Sequence, residues 1–376
     1  MAKLRIGVLY GGRSGEHEIS IASAAAVIAN LDRQQYDVLP IAIDRSGHWS
    51  VPDVPPASAS AADAIAGAQG AEAARGPGVL IVPWPSRPAI RPEAADDRAP
   101  GLPVDVDVIF PVLHGPLGED GTVQGLLELA NLPYVGAGVA ASAVGMDKAL
   151  TKMVLQASGL PTVAGDTIQD AEWRTGRETA LERIADTIGF PAFVKPANLG
   201  SSVGVSKVRS RAELAAGVAH ALEFDRKVLV ERAVPAAREI ECSVLGNEVP
   251  EVSVPGEIVP SGEFYDYAAK YLDAESRLLI PAPLPEATAG HVRDLAAQAF
   301  RAIDCSGMAR VDFLLDGEQD EVRVNEINTI PGFTTISMYP KLWEASGLAY
   351  PRLLDRLIAL ALDRHRAKQH LKTTPS

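Results

Sequence analysis

The sequence predicts an α/β protein, α+β overall, built from three successive units of which the first surrounds a parallel sheet. Three observations carry this. The apolar run Leu4–Tyr10 closes on Gly11-Gly12, then feeds a helical segment and a second apolar run at Tyr36–Ile43. That order, strand, glycine turn, helix, strand, opens a parallel α/β layer. Further on, a Gly/Ser-rich loop separates two candidate strands, and a hairpin with polar residues on one face follows near the C-terminus.

The 376 residues provide for two or three domains at about 100–200 residues each. We place the units at 1–140, 141–234 and 235–376. In the first, Leu4–Tyr10 is a buried strand, Ser20–Leu31 a helix with Ser20 as N-cap, and Tyr36–Ile43 the next strand. Residues 53–103 are rich in Ala, Pro and Gly around one apolar island, Val79–Trp84, and form a surface excursion. Val104–Val112 returns as a strand and His114–Gly121 is a loop. In the second unit a helix near Met146–Ser158 ends at Gly159 and Pro161. Strands at Ala192–Lys195 and Val203–Val208, a helix near 212–222 and a strand at Lys227–Glu231 complete it. The third unit alternates strands with helices near Glu286–Ile303 and Pro351–Arg364, and leaves a basic, frayed tail, Arg364–Lys372.

Composition narrows the function. Hydrophobic residues make up 47% and charged residues 22%, ordinary for a globular protein. The net charge of -13 disfavours nucleic acid and anionic membrane as partners, since both are polyanions. Cys242 and Cys305 are expected to be reduced thiols. No signal-peptide pattern and no run of about 20 apolar residues is seen. The expected location is cytoplasmic.

The most informative stretch is Met308–Gly332. Side chains alternate along a strand, so Arg310 and Asp312 share one face, as do Glu326 and Asn328. If the hairpin turns at Gln319, Asp312 sits opposite Glu326 and Arg310 opposite Asn328, all on one face. Two carboxylates and an amide form a hard oxygen site suited to Mg²⁺, which completes its shell with phosphate oxygens and water. A solvated hairpin face is the plain alternative. Arg310 weighs against it, because a guanidinium beside the metal stabilises a phosphoryl group in transfer.

Lys195-Pro196-Ala197-Asn198-Leu199-Gly200-Ser201-Ser202-Val203-Gly204 places a strand-end lysine before a flexible loop that could fold over polyphosphate. It is no Walker A loop, since no Gly-Lys-Ser/Thr closes it. An ordinary glycine-rich hairpin is the alternative. Lys148 and Lys152 lie four apart on one helix, where a solvated face is the usual explanation. Gly11-Gly12-Arg13-Ser14-Gly15-Glu16 ends on a helix N-terminus, which attracts a carboxylate, while Glu16 can hold an ammonium. Together those preferences describe an amino-acid site, against a plain α/β turn.

Seven stretches in order, GGRSGEHEIS, HGPLGEDGTVQG, GMDKALTK, KPANLGSSVGVSKV, FYDYAAKY, ARVDFLL and VNEINTIPGFTTISMYP, resemble the D-alanine–D-alanine ligase family of the ATP-grasp superfamily. They cover almost the whole chain except 53–103 and the tail. The resemblance implies a three-domain ATP-grasp architecture, ATP as co-substrate gripped between the last two domains, and two Mg²⁺ ions, with Mn²⁺ as an alternative. It implies Lys148 and Lys195 as phosphate-side and adenine-side lysines, Glu231 and Val234 on the strand that receives the adenine edge, Glu239 at the ribose and Lys270 at phosphate. Asp312, Glu326 and Asn328 match metal ligands. Glu16 resembles the residue that holds the first D-alanine's ammonium, with Ser201 and Tyr271 as its partners. Arg310 and the Gly332 N–H match the oxyanion donors. His114, Ser337 and Met338 match the acceptor site. A homodimer is implied as well. Residues 53–103 are expected to be longer than this region is in the family, and Pro235–Arg238 lacks the glycine often found before the ribose glutamate.

Three rivals stand beside this reading. A D-alanine–D-lactate ligase would take a hydroxy acid, and Tyr271 favours an amine acceptor over it. A regulatory nucleotide-binding module would not need the complete set Lys148, Lys195, Arg310, Asp312, Glu326 and Asn328. A dinucleotide-dependent dehydrogenase would need G-x-G-x-x-G, which the first turn lacks.

Overall fold

Parallel pairing at the N-terminus follows from a strand that is apolar on both faces and a helix that carries the chain back across it. In the computed structural model, which describes residues 3–56, 76–93, 102–260, 277–319 and 321–372, β1 (Leu4–Gly11), β2 (Tyr36–Ile43), β3 (Trp49–Ser50) and β6 (Val108–Pro111) form a sheet in the order β3-β2-β1-β6. β1 runs parallel to both β2 and β6. The excursion supplies a two-stranded hairpin of β4 (Val79–Ile81) and β5 (Ile90–Pro92). Strand β6 is shorter than the Val104–Val112 expected, because Val104 pairs instead with Ile90 of that hairpin.

Helix α1 (His17–Asn30) starts earlier than expected, with Glu16 at its N-cap. Ser20, expected to cap, is buried inside the helix. Its hydroxyl accepts the Gly11 N–H at 2.8 Å and donates to the Val112 carbonyl. α2 (Thr122–Leu129) and α3 (Val139–Met146) follow, and α4 (Lys148–Ala157) starts on Asp147, which accepts from the N–H groups of Ala149 and Leu150. The helix expected near Met146–Ser158 is α4, and a separate helix not expected from the sequence, α3, precedes it; the two are divided where Asp147 becomes extended to act as a cap.

A second, antiparallel sheet has the order β7-β10-β8-β9, with β7 (Gly165–Gln169), β8 (Ala192–Pro196), β9 (Ser206–Val208) and β10 (Lys227–Arg232). It is covered by α5 (Asp170–Thr187) and α6 (Arg211–Ala221). β9 starts three residues later than expected. Val203 and Val205 instead bond back to Gly200 and Ser202, and Gly204 has φ of 72°.

The third sheet is antiparallel, β14-β13-β11-β15-β16, with β12 (Glu251–Val252) on β11 (Arg238–Gly246). β13 (Gly256–Val259), β14 (Arg277–Leu279), β15 (Gly307–Leu315) and β16 (Val322–Asn328) complete it. α7 (Glu286–Ala302) packs on its apolar face. α8 (Met338–Ala345) and α9 (Tyr350–Gln369) end the chain. The tail expected to fray from Arg364 is helical to Gln369. Arg364 bonds to the Tyr134 carbonyl at 3.0 Å and to Ser306 Oγ at 2.7 Å. The apolar stripe Leu353, Leu354, Leu357 and Ile358 lies in one core with Ile6, Val8 and Phe110, so the last helix locks onto the first sheet. No helix among the described residues is long and apolar enough to cross a membrane.

Candidate active site

Strands β15 and β16 build the floor of one cleft. Arg310 pairs with Asn328 and Asp312 with Glu326, the register expected if the hairpin turned at Gln319. Nearer the turn the register is offset by one residue, Phe313 opposite Val324, and Asn325 bulges between. Without the bulge Glu326 would have moved to the opposite face. The neighbouring strand adds Glu241 opposite Asp312, so three carboxylates lie in a row across three strands. Arg310 sits among them. Its guanidinium forks onto Asp312 at 2.7 and 2.6 Å and reaches Glu241 at 3.1 Å. Burial alone would lower its pKa, but Asp312 and Glu241 more than reverse that and hold it charged.

A metal at this face would find two carboxylates and the Asn328 amide. The amide Nδ2 lies 3.2 Å from Asp312 Oδ2. Among the described residues no group of three His, Cys, Asp or Glu side chains could hold an ion. Two carboxylates plus an amide still fit Mg²⁺, which keeps several water or phosphate ligands and needs few from protein. Lys148 Nζ lies 3.5 Å from Glu326 and bonds the Leu199 carbonyl at 2.7 Å.

Lys148 is thereby tied to the Gly/Ser loop. The loop is anchored at its start by Asn198, whose N–H and Nδ2 donate to Asp225 at 2.7 and 2.9 Å. At the far end of the cleft, Lys195 and Lys152 each bind one oxygen of the buried Glu231, at 2.7 and 2.6 Å. Burial would raise the Glu231 pKa, but the two ammonium groups outweigh it and hold the carboxyl ionised. The solvated face expected for Lys148 and Lys152 is thus not what forms: Lys152 is 5% exposed. A buried carboxylate between two lysines fixes the strand end that leads to Val234.

Glu16 sits where three segments converge. Ser201 donates to its Oε1. A Cβ added at Gly115 would lie 2.9 Å from Glu16 Oε2, and one at Gly200 3.0 Å from it. Only glycine lets both loops approach so closely. Nearby, Glu119 accepts the Gly115 N–H at 2.7 Å. Burial, reinforced by Glu16, pushes its pKa up to about 8.

Residues 330–338 form the remaining wall. A Cβ at Gly332 would meet Ser337 Oγ at 2.8 Å. The Ser337 hydroxyl turns back to Thr334, whose N–H it accepts at 3.0 Å, and makes no cap on α8. The first turn of α8 therefore presents the Met338 and Tyr339 N–H groups, a site for a carboxylate. His114 is buried, 3.1 Å from the Ile330 carbonyl.

Every site residue expected from the sequence that falls within the described residues lines this cleft of about 490 Å³. Lys270 and Tyr271 lie outside the described residues. Sequence reading missed Glu241, Glu119 and the buried role of Lys152. Glu241 had a signal, since Glu239, Glu241 and Ser243 alternate with Ile240, Cys242 and Val244. Glu119 and Lys152 had none, because their burial depends on distant segments.

Family models described as D-ala D-ala ligase N-terminus and D-ala D-ala ligase C-terminus match residues 5–137 and 154–359. A D-alanine--D-alanine ligase of Heliobacterium modesticaldum is 51% identical over 99% of this chain and 98% of its own length. That of Natranaerobius thermophilus is 46% identical over 99% of both. Residues 53–103 are therefore no added length against these relatives, contrary to the expectation of an unusually long excursion. The D-alanine-D-alanine ligase structure from Coxiella burnetii superposes with a TM-score of 0.81 at 41% identity, covering 98% of this chain and 97% of that one. A D-Ala:D-Ser ligase from Enterococcus faecalis gives 0.82 at 33% identity over 96% of this chain and 100% of that one. The fold is the ATP-grasp architecture of these neighbours, and the chain belongs to the D-alanine–D-alanine ligase family.

Proposed function

We propose that the chain joins two D-alanine molecules at the expense of ATP, making D-alanyl-D-alanine for the peptidoglycan precursor. The observation that carries this is one cleft faced both by Glu16, fit to hold an ammonium, and by the Asp312–Glu326 pair, fit for a phosphate-bound metal. The first D-alanine lies with its ammonium on Glu16, with Ser201 and Tyr271 as its hydrogen-bond partners. Its carboxylate oxygen attacks the γ-phosphorus. The bond from that phosphorus to the β–γ bridging oxygen breaks, giving an acyl phosphate and ADP. Lys148 holds the phosphate side, as does Lys270. Lys195, the Glu231–Val234 strand end and Glu239 hold adenine and ribose.

The second D-alanine docks its carboxylate at Ser337 and Met338, beside His114. Its free amine attacks the acyl carbon and the C–O bond to phosphate breaks, the proton lost by the amine ending on the released phosphate. Arg310 and the Gly332 N–H stabilise the oxyanion between those events. An acyl phosphate needs shelter from water, and reaction within the cleft reduces its exposure. Asp312, Glu326 and Asn328 would hold two Mg²⁺ ions, or Mn²⁺. Bound there, the metal would neutralise charge on the transferring phosphoryl group.

The three units are 1–140, 141–234 and 235–376, with ATP between the last two. A cytoplasmic homodimer is the form we assign to the protein.

Phosphate release from ATP and Mg²⁺ is measured with D-alanine, with L-alanine and with D-alanine plus D-lactate, and the products are weighed by mass spectrometry. A dipeptide from D-alanine alone supports the reading. A mixed ester moves the chain to a hydroxy-acid acceptor, and no release with any of them refutes the substrate assignment.

A further inference from the structure

Helix α1 presents Glu16 at its N-cap and then Ser20 and Ser23, spaced four and three positions apart and so on one face. Glu16 faces the cleft and Ser20 fastens the helix to the ends of β1 and β6. Ser23 is fully buried and does not line the cleft. Its hydroxyl accepts the Phe333 N–H at 3.2 Å and lies 3.2 Å from His114 Nε2. The other ring nitrogen, Nδ1, lies 3.1 Å from the Ile330 carbonyl.

These contacts have one consistent direction. A carbonyl only accepts, so His114 Nδ1 carries the hydrogen. In the neutral ring Nε2 then accepts, and the Ser23 O–H is its donor. Burial lowers the His114 pKa and outweighs the opposing pull of Glu16, which keeps the ring neutral. The chain runs from Phe333 N–H to Ser23, from Ser23 O–H to His114, and from His114 N–H to Ile330. It grips the 330–333 turn at both ends. Pro331 has no N–H, so Gly332 carries the one N–H between the gripped carbonyl and the gripped amide.

We infer that Ser23 is a positioning residue for the transfer step: acting through His114, it fixes the 330–333 turn so that the Gly332 N–H stays aimed at the developing oxyanion. This rests on the function proposed above. It also makes α1 the common frame of the reaction, because Glu16 at its start sets the donor amino acid and Ser23 two turns on sets the oxyanion donor. Misplacement by about 1 Å costs up to roughly 10²-fold in rate, so loss of one of two grips is felt mainly in kcat.

The test compares Ser23→Ala, Ser23→Thr and Ser23→Val in the full-length protein. Thr and Val have nearly the same shape, so any crowding is common to both and only the hydroxyl differs. For each, kcat, the KM for ATP, the thermal midpoint and the affinity for a dipeptide phosphinate, a mimic of the tetrahedral adduct, are measured. Expected is a kcat about 10-fold or more lower in the Ala and Val variants, an equal loss of phosphinate affinity, an unchanged KM for ATP, and recovery in Thr relative to Val. Ala and Val variants within about 2-fold of wild type in kcat and phosphinate affinity overturn the inference. So do Thr and Val variants that behave alike, or a fall in phosphinate affinity matched by an equal fall in ATP affinity. Wild-type turnover is measured first. An active wild type with indifferent Ser23 variants sinks this inference alone, whereas a wild type that forms no dipeptide sinks the functional reading together with it.

Discussion

Ser201 donates its hydroxyl hydrogen to the Glu16 carboxylate, joining residues 185 positions apart. The bond closes the Gly/Ser loop onto the first helix. Glu16 thereby becomes a carboxylate with a fixed direction, ringed by Gly115, Gly200 and Ser201.

Glu16→Gln keeps the shape but removes the charge that balances an ammonium. A hydrogen bond to a charged group contributes about 1.5–3 kcal/mol. The KM for the first D-alanine is expected to rise roughly 10- to 100-fold, with the KM for ATP little changed. Steady-state kinetics at varied D-alanine decide it; a larger effect on ATP than on D-alanine would place Glu16 elsewhere in the reaction.

Glu326→Gln should abolish turnover and leave the fold intact. The side chain is a quarter exposed and lies 3.5 Å from Lys148 Nζ, and a partly exposed ion pair of that length contributes little to stability. Phosphate release and a thermal melt test the two halves separately. An unchanged steady-state rate defeats the metal assignment.

Gly332→Ala would push a Cβ to 2.8 Å from Ser337 Oγ. Ser337 is held by Thr334, through an Oγ–Oγ contact of 2.8 Å and the Thr334 N–H. It can give way only by breaking those bonds to Thr334. We expect kcat/KM for the second D-alanine to fall about 10-fold or more, with ATP binding retained. Acceptor kinetics equal to wild type would show that the wall tolerates the methyl group.

Glu119 gives a pH prediction. Its pKa in the folded protein, about 8, lies above the ordinary 4.5 because of burial and then Glu16. Folding therefore takes up a proton. The stability linked to this group is complete below its unfolded pKa and is lost as pH rises through about 8. Glu119→Gln, which cannot ionise, should lose less thermal stability than wild type between about pH 5 and pH 9. Parallel melting curves across that range would refute the assignment.

Much of the cleft was legible in the chain because strands repeat every two residues. Arg310 with Asp312, and Glu326 with Asn328, are same-face pairs from local geometry alone. Their pairing across the hairpin was legible only by assuming a turn at Gln319, and the structure reaches the same pairing through a bulge at Asn325. The β16 edge beside that bulge is bound by the segment at 161–162, with the Val324 N–H on the Pro161 carbonyl at 2.8 Å. No local pattern encodes that partner. The break between α3 and α4 was likewise hidden: Asp147 leaves the helix to cap α4 and to pair with Lys227, 80 positions away.

The sequence by itself determined the parallel opening, the Gly/Ser loop and the faces of the hairpin, because periodicity and glycine act within a few residues. The tertiary structure decided which charges are buried together. Lys152 is an ordinary helix lysine until β10 places Glu231 beside it. Glu241 is an ordinary strand glutamate until Arg310 reaches it, and Ser23 a small helix residue until the 330–333 turn arrives. Charges and hydrogen bonds gain strength only when water is excluded. Which groups lose their water is set by segments that meet only once the chain has folded.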